Sequence, residues 1–380
     1  MAKRETNIKS PDATEPAETV GGDGELEESA VDPAALESSG AESITLVVAD
    51  SSDSLYQRRA GNRGDSPEPS AMLTDDRLLD ISGRKSLAPE GLWQSLVYNI
   101  SFHTINLGDS AAVRERKAMD RRIGAAFETG ARYVPVVTRK GGVGKTTVTT
   151  LLGMALAEVR HDRVIAIDAN PDRGTLAERV PKSTGATVRD VVNLAAGISG
   201  FTDFAELVSK DASRLHVLAS DTDPLMSEAF DEDDYNVVAD QAARFYSVIL
   251  TDCGTGIVHS VMKPTLERAD GLVVVSGGSI DEARLASETL TWLEANGYGE
   301  LVARAVVALN TATQGSNVVK LDEIEGHFIS RVREVVRIPY DPNLAAGSVI
   351  EWDRLSPYTR QAARELAALV VEGMSERLGT

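Results

Sequence analysis

The segment from Thr138 to Thr147, TRKGGVGKTT, contains the residues whose types and spacing indicate a specific chemistry. An apolar run, VPVVT, leads into it, and a helical pattern, TVTTLLGMALAEV, follows its glycines. Glycines at positions 141, 142 and 144 allow backbone amides to converge on phosphate oxygens at a helix N-terminus, where the helix dipole favours anions. This order of apolar run, glycine-rich loop and helix predicts a phosphate-binding loop.

The side chains of this loop have separate predicted roles. Lys145 is expected to reach the β- and γ-phosphates of a nucleotide, Thr146 to ligate Mg²⁺, and Thr147 to contact the α-phosphate. Two positions depart from the generic loop, because Arg139 stands at a glycine position and Lys140 adds a second lysine. The predicted backbone contacts come from Gly141, Gly142, Val143 and Gly144.

Polar residues also end three apolar runs further along the chain. VIAID ends in Asp168, VILTD in Asp252 and VVALN in Asn310. The carboxyl ends of parallel strands meet at one edge of a sheet, where ligands of such folds bind. Oxygen ligands suit Mg²⁺, so Asp252 is predicted to hold this ion through water, together with Thr146.

The elements that must position these residues alternate from residue 131 onward. The apolar runs are VPVVT, VIAID, LHVLAS, VILTD, LVVVS and VVALN. They lack polar alternation, which is typical of strands buried on both faces, and helical patterns separate most of them. The sequence therefore predicts an α/β fold with a doubly wound, mostly parallel sheet of a P-loop NTPase. Pro135 should lie near the start of its strand or at an irregularity.

Composition divides the chain into three predicted regions. Residues 1–88 are rich in Glu, Asp, Ser, Ala, Pro and Gly, which predicts a disordered acidic region. Residues 89–130 are predicted to form a helical linker, and residues 131–380 the nucleotide-binding domain. The linker carries a basic run, and a solvated helix packed on the core is favoured over a basic arm for an acidic partner.

Charge and cysteine content exclude several classes of function. The net charge is -19, of which residues 1–50 contribute -9 and residues 131–380 contribute -10. Such a surface does not attract DNA or anionic lipid as a whole. The single cysteine, Cys253, excludes an internal disulfide. We recognise no secretory signal and no transmembrane segment, so we expect a cytoplasmic protein.

The sequence KGGVGKTT resembles the deviant Walker A motif of the ParA/MinD-like ATPases, and the resemblance runs from about residue 131 to the C-terminus. It implies ATP and Mg²⁺ as cofactors. In that family a lysine at the position of Lys140 reaches across a dimer interface to the phosphates held by the partner subunit. The resemblance therefore implies an ATP-dependent homodimer, because this charge-assisted contact exists only while ATP is bound.

The family also has an acidic D-x-D pair, and this chain has Asp168 and Asn170 at those positions. The first acid supports Mg²⁺ through water in that family, so the resemblance implies that Asp168 belongs to the metal site. The second acid orients or activates the attacking water, and an amide cannot accept a proton as a carboxylate does. We therefore expect intact ATP binding with slow hydrolysis, in which Asn170 positions water and Asp172 is an alternative acid. The resemblance further implies adenine contacts through Asn310, Pro339 and Asp341.

Segments such as LWQSLVYNISFHTINLG, ARFYSVILTDCGTG and IPYDPNLAAG resemble EspI-like ATPases associated with actinobacterial type VII (ESX) secretion. This implies a regulatory or accessory ATPase at the periphery of a membrane secretion complex. A protein partner, such as a secretion-system component, is expected to bind through the N-terminal region. Two alternatives stay open, namely a nucleotide-binding scaffold with negligible ATPase activity and a ParA-type partitioning ATPase. The second needs a DNA-binding patch, for which the candidates are Lys320, Arg331, Arg333 and Arg337.

Overall fold

The computed structural model describes residues 110–128, 130–170, 174–221, 230–257, 259–311 and 320–375. The predicted disordered region, most of the linker before residue 110, and Asp172 lie outside these residues. Within them, eight strands form one sheet in the order β3-β4-β2-β5-β1-β6-β7-β8. The strands are β1 Arg132–Val137, β2 Val164–Ala169, β3 Ser209–Lys210, β4 His216–Leu218, β5 Val248–Cys253, β6 Val273–Gly277, β7 Val306–Asn310 and β8 Glu334–Ile338.

Helices connect the strands and cover the sheet. They are α1 Ala111–Ile123, α2 Lys145–Val159, α3 Val188–Leu194, α4 Phe201–Ala205, α5 Glu232–Ala243, α6 Met262–Arg268, α7 Ile280–Ala295, α8 Gly299–Arg304, α9 Leu321–Ile329, α10 Pro342–Ala345 and α11 Pro357–Ser375. Short 3₁₀ turns occupy Leu176–Arg179, Ala195–Gly197 and Trp352–Arg354.

The sheet is parallel apart from the β3–β4 pair, as predicted. All six predicted apolar runs contain a strand. Two further strands, β3 and β8, were missing from that set. β3 has two residues at the edge of the sheet, and β8 carries exposed Glu334 and Arg337, so neither forms a continuous apolar run.

Successive strand residues enter different cores, which is why the central strands lack polar alternation. In β6, Val273 and Val275 belong to the core beneath α2 and α11, whereas Val274 belongs to the core beneath α6, α7 and α8. Ile165 and Ile167 of β2 join a third core beneath α3, α4 and α5. Helices therefore cover both faces, which confirms the doubly wound architecture.

Pro135 lies inside β1 and not at its start. It is opposite Thr251 of β5, while the pairing with β6 covers only Val136 and Val137. The proline therefore lies just before the residues that pair with β6, in unbroken register with β5, and not near the start of the strand as expected.

The last turns of the predicted linker form α1, and this helix packs on the nucleotide-binding domain. Ser110 caps it by accepting a hydrogen bond from the amide of Val113 at 3.3 Å. Arg122 donates to Glu372 of α11 at 2.5 and 3.0 Å, and Ile123 is fully buried. None of the described helices combines the length and apolar composition needed to cross a membrane.

Candidate nucleotide-binding site

The predicted phosphate loop lies between β1 and α2, at the carboxyl edge of the sheet. Gly142 and Gly144 adopt positive φ angles of 82° and 94°, a region that favours glycine. Gly144 is also the N-cap of α2, so the first amides of this helix are directed at the loop. The backbone geometry is that of an anion site at a helix N-terminus.

Lys145 and Thr146 converge on a single buried carboxylate. The Nζ atom of Lys145 lies 2.6 Å from Oδ1 of Asp252, and the Thr146 hydroxyl donates to Oδ2 at 2.7 Å. Thr149 donates to Oδ1 at 3.2 Å, a contact that the sequence did not indicate. Asp252 is fully buried. The ammonium group of Lys145 and the hydroxyls of Thr146 and Thr149 compensate its negative charge there.

Asp168 lies beside Asp252, because the two are register partners in the β2–β5 ladder. Its oxygens accept from the amides of Asn170 at 3.2 Å and Leu176 at 3.0 Å. Burial, and then the neighbouring Asp252 carboxylate, raise the pKa of Asp168 to about 7. Two carboxylates this close favour either a shared proton or a bound cation.

Asn310 supports the phosphate loop from the neighbouring strand. Its Nδ2 donates to the carbonyl of Val143 at 2.7 Å, and a Cβ added to Gly144 would lie 2.1 Å from that nitrogen. The third glycine is therefore required by close packing as well as by its φ angle. The predicted adenine contact of Asn310 stays a prediction, since the amide group is engaged with the loop here.

The second lysine has a different environment from the first. Lys140 is about two-fifths exposed, and its Nζ lies 3.5 Å from Oε1 of Glu282. Glu282 belongs to a capping box with Ser279 at the start of α7. The sequence analysis missed Glu282, although the Ser-x-x-Glu spacing before a helix could have indicated it.

These residues surround one cavity of about 330 Å³. The predicted residues that line it are Lys140, Gly141, Gly142, Val143, Gly144, Lys145, Thr146, Thr147, Asn170 and Asn310. Asp168 and Asp252 are not lining residues. Asp252 contacts Lys145 and Thr146, whereas Asp168 accepts from the amides of Asn170 and Leu176. Lining residues that sequence reasoning missed include Thr138, Thr175, Arg179 and Leu344.

The predicted adenine contacts after β8 have different positions. Neither Pro339 nor Asp341 lines the cavity, whereas Leu344 and Gly347 of the same segment do. Asp341 is buried and caps α10, and its Oδ2 accepts from Ser356 and Thr359. Its carboxylate therefore has a structural role in this geometry, and the assignment of Asp341 to adenine is not supported by its contacts.

The donor set fits Mg²⁺. A threonine hydroxyl and two carboxylates at the phosphate loop are hard oxygen ligands, and this ion usually takes only one or two carboxylates with water and phosphate oxygens. Among the residues that the structure describes, no cluster of three or more His, Cys, Asp or Glu forms a self-sufficient metal site. The ion would thus require a nucleotide to complete its coordination.

Comparison with known proteins agrees with this geometry. The profile of the CobQ/CobB/MinD/ParA nucleotide binding domain matches residues 134–337, which is more than half of the chain. The ESX-1 secretion-associated protein EspI of Mycobacterium tuberculosis is 37% identical over 289 residues, covering 76% of this chain and 43% of EspI. The chain therefore spans less than half the length of this relative.

More distant relatives belong to the same family. A putative septum site-determining protein MinD of Guillardia theta is 29% identical over 213 residues, covering 55% of this chain and 73% of that protein. A ParA family ATPase of Chlorobium tepidum has a TM-score of 0.54 at 23% identity and covers 63% of this chain and 98% of its own. MinD of Pyrococcus horikoshii, solved with Mg-ADP, has a TM-score of 0.50 at 21% identity, covering 62% and 94%. The chain belongs to the CobQ/CobB/MinD/ParA nucleotide-binding family.

Proposed function

We propose that this chain is an ATP-dependent switch that dimerises when ATP and Mg²⁺ are bound, hydrolyses ATP slowly, and serves a type VII secretion system. The observation that carries the proposal is the contrast between the two loop lysines. Lys145 is buried on Asp252, while Lys140 is partly exposed at the mouth of the same cavity. A lysine held loosely at the rim can exchange its carboxylate partner for a phosphate of another subunit.

The residues of the cavity have distinct roles in this proposal. The loop amides and Lys145 bind the phosphates, and Thr146, Asp168 and Asp252 are the groups that would hold Mg²⁺. When bound, the ion supplies positive charge that neutralises the phosphate oxygens. Asp168 and Asp252 are two buried carboxylates side by side in the β2–β5 ladder, an arrangement that a bound cation stabilises.

Asn170 is the basis for slow hydrolysis. It lines the cavity just after β2, so its amide can orient water near a terminal phosphate. It cannot take a proton from that water, because a side-chain amide is not a base at neutral pH. General-base catalysis contributes typically about 10²–10⁴-fold, so its loss leaves a slow enzyme with unimpaired binding.

Similarity to EspI supports the secretion context over chromosome or plasmid partition. The four candidate residues for a DNA-binding patch are each paired with a carboxylate. The pairs are Lys320 with Glu323, Arg331 with Glu294, Arg333 with Glu372, and Arg337 with Asp322 and Glu325. Neutralised cations do not form the unpaired positive surface that binding to the DNA backbone requires.

The test measures molar mass by light scattering, without nucleotide and with Mg-ATP or Mg-ADP, together with phosphate release from the same samples. We expect a dimer with ATP alone, which decays slowly as phosphate appears. Lys145→Ala should abolish nucleotide binding, and Lys140→Ala should bind ATP but stay monomeric. Lys182→Ala is the matched control, because Lys182 is exposed and does not line the cavity.

Other outcomes separate the alternatives. A mass that does not depend on nucleotide, with ATP bound and no phosphate released, would favour the nucleotide-binding scaffold. Turnover at rates ordinary for enzymes, unchanged by Asn170→Ala, would contradict the role given to Asn170. A dimer of Lys140→Ala as stable as that of the wild type would contradict the role given to the second lysine.

A further inference from the structure

Arg179 ends the 3₁₀ turn that follows β2, and its backbone is fixed at both ends of that turn. The amide of Leu176, at the start of the turn, donates to Asp168 at 3.0 Å. The carbonyl of Arg179 accepts from the amide of Ile350 at 2.9 Å. The side chain of Arg179 lines the same cavity as the phosphate loop. The turn thus connects the guanidinium rigidly to the predicted metal site.

The guanidinium has no partner for its buried nitrogens. Nε and Nη1 of Arg179 are shielded from solvent and make no hydrogen bond within the described part of the chain. A Cβ added to Gly347 would lie 3.7 Å from Nη1, so the backbone of the segment after β8 closes over this group. The close approach shields the guanidinium without offering it an acceptor.

This arrangement is costly unless an anion completes it. A guanidinium stays charged at any physiological pH, and shielding two of its nitrogens from water without an acceptor costs free energy even in a half-buried side chain. The carboxylates around the cavity already have other partners. Glu282 faces Lys140 and Ser279, Asp252 faces Lys145, and Asp168 accepts two backbone amides.

We propose that Arg179 is a nucleotide-binding residue, whose guanidinium contacts the phosphate chain of the nucleotide held by the loop. Its planar fork of donors matches phosphate oxygens in geometry and charge. The inference rests on the proposed function and deepens it. It adds a cation from the segment after β2 to the lysines of the loop, so that one short turn both holds Asp168 and contacts the nucleotide.

The proposal makes a prediction that a purely structural arginine would not satisfy. In nucleotide-free protein, Arg179→Met removes a half-buried guanidinium with two unpartnered nitrogens, so its urea midpoint should equal or exceed that of the wild type. The same variant should bind ATP and ADP about tenfold more weakly or worse, since charge-assisted contacts to phosphate are lost. Arg179→Lys should recover part of this loss, because it restores charge without the planar fork.

The experiment is a titration of the full chain with Mg-ATP and Mg-ADP by calorimetry, together with urea unfolding of each variant without nucleotide. Arg354→Met is the matched control, because Arg354 is exposed, pairs with Glu351 and does not line the cavity. Its nucleotide affinity should stay close to that of the wild type. Circular dichroism establishes that each variant is folded before its affinity is compared.

The outcomes distinguish this inference from the function on which it rests. Failure of the wild-type protein to bind ATP or ADP would overturn both. Wild-type binding combined with unchanged affinity in folded Arg179→Met would overturn the inference alone. A lower urea midpoint of nucleotide-free Arg179→Met would also overturn it, because the arginine would then stabilise the fold by itself. If nucleotide-free Arg179→Met does not fold, the inference is overturned for the same reason.

Discussion

Two buried sites at opposite edges of the sheet treat their titratable groups in opposite ways. At the carboxyl edge, Asp252 and Lys145 are buried as an ion pair, and Asp168 is buried beside them. At the amino edge, His216 at the start of β4 is also buried, and its Nδ1 lies 2.7 Å from the Tyr246 hydroxyl. Burial, followed by the charges of Lys210 and Arg163, lowers the pKa of His216 to about 4, so this ring is neutral at pH 7.

The difference shows that buried charges are left uncompensated at the cavity and not at the His216 site. A neutral His–Tyr pair is satisfied within the chain and needs no ligand. The cavity at the carboxyl edge instead has two carboxylates, a lysine and an unpaired guanidinium beside it. The charges of these groups are not compensated until a polyanion and a cation bind. Such departures from self-sufficiency are typical of functional sites.

The largest expected effect is at the carboxyl edge. Lys145→Met leaves Asp252 buried without its cation, which should lower the free energy of unfolding by about 3–5 kcal/mol in urea titrations without nucleotide. Adding Asp252→Asn should restore much of this stability, because the uncompensated charge is removed. If Lys145→Met alone unfolded at the same urea concentration as the wild type, the ion pair of Lys145 and Asp252 would contribute nothing to the stability of the fold.

A smaller effect is expected from the loop backbone. Gly144→Ala places a Cβ against Nδ2 of Asn310 at a φ of 94°, which should cost about 1–3 kcal/mol and weaken nucleotide binding. Gly141→Ala is the control for stability, since its added Cβ meets nothing within 4 Å. Equal urea midpoints for the two variants would contradict the close packing between β7 and the loop.

The smallest effect concerns pH and the amino edge. The pKa of His216 is depressed in the folded state, so the unfolded chain binds the proton first as pH falls below about 6.5. The contribution of His216 to stability should therefore decrease between pH 6.5 and 5, and His216→Gln should remove this decrease from the profile. Thermal melts at several pH values measure the slope, and an identical slope in both proteins would exclude His216 as its source.

Much of this molecule was predictable because its signals are local. The phosphate loop combines glycines, lysine and threonines within ten residues, and Asp168, Asp252 and Asn310 directly end apolar runs. Parallel strands then bring these ends to one edge of the sheet, so the site follows from the order of elements. The six central strands were recognised for the same reason, since each is a short uninterrupted apolar run.

The remaining features depend on contacts between segments that are distant in sequence. Arg179 and Glu282 are ordinary charged residues until the fold places them at the cavity. Asp341 is of a residue type that often contacts ligands. Ser356 and Thr359, which lie 15 and 18 residues away in sequence, instead donate hydrogen bonds to its carboxylate. Short β3 and charged β8 are strands only because a neighbour offers them a ladder.

The contacts of Arg160 hold the segment after α1 against the nucleotide-binding domain. This buried side chain donates to the carbonyls of Ile123 and Ala125 at 2.8 and 3.0 Å, and it stacks on the ring of Phe127. The segment after α1 is therefore held as firmly as α1 itself. A fragment starting at residue 131 should aggregate, because it exposes the apolar surfaces that α1 and Phe127 cover.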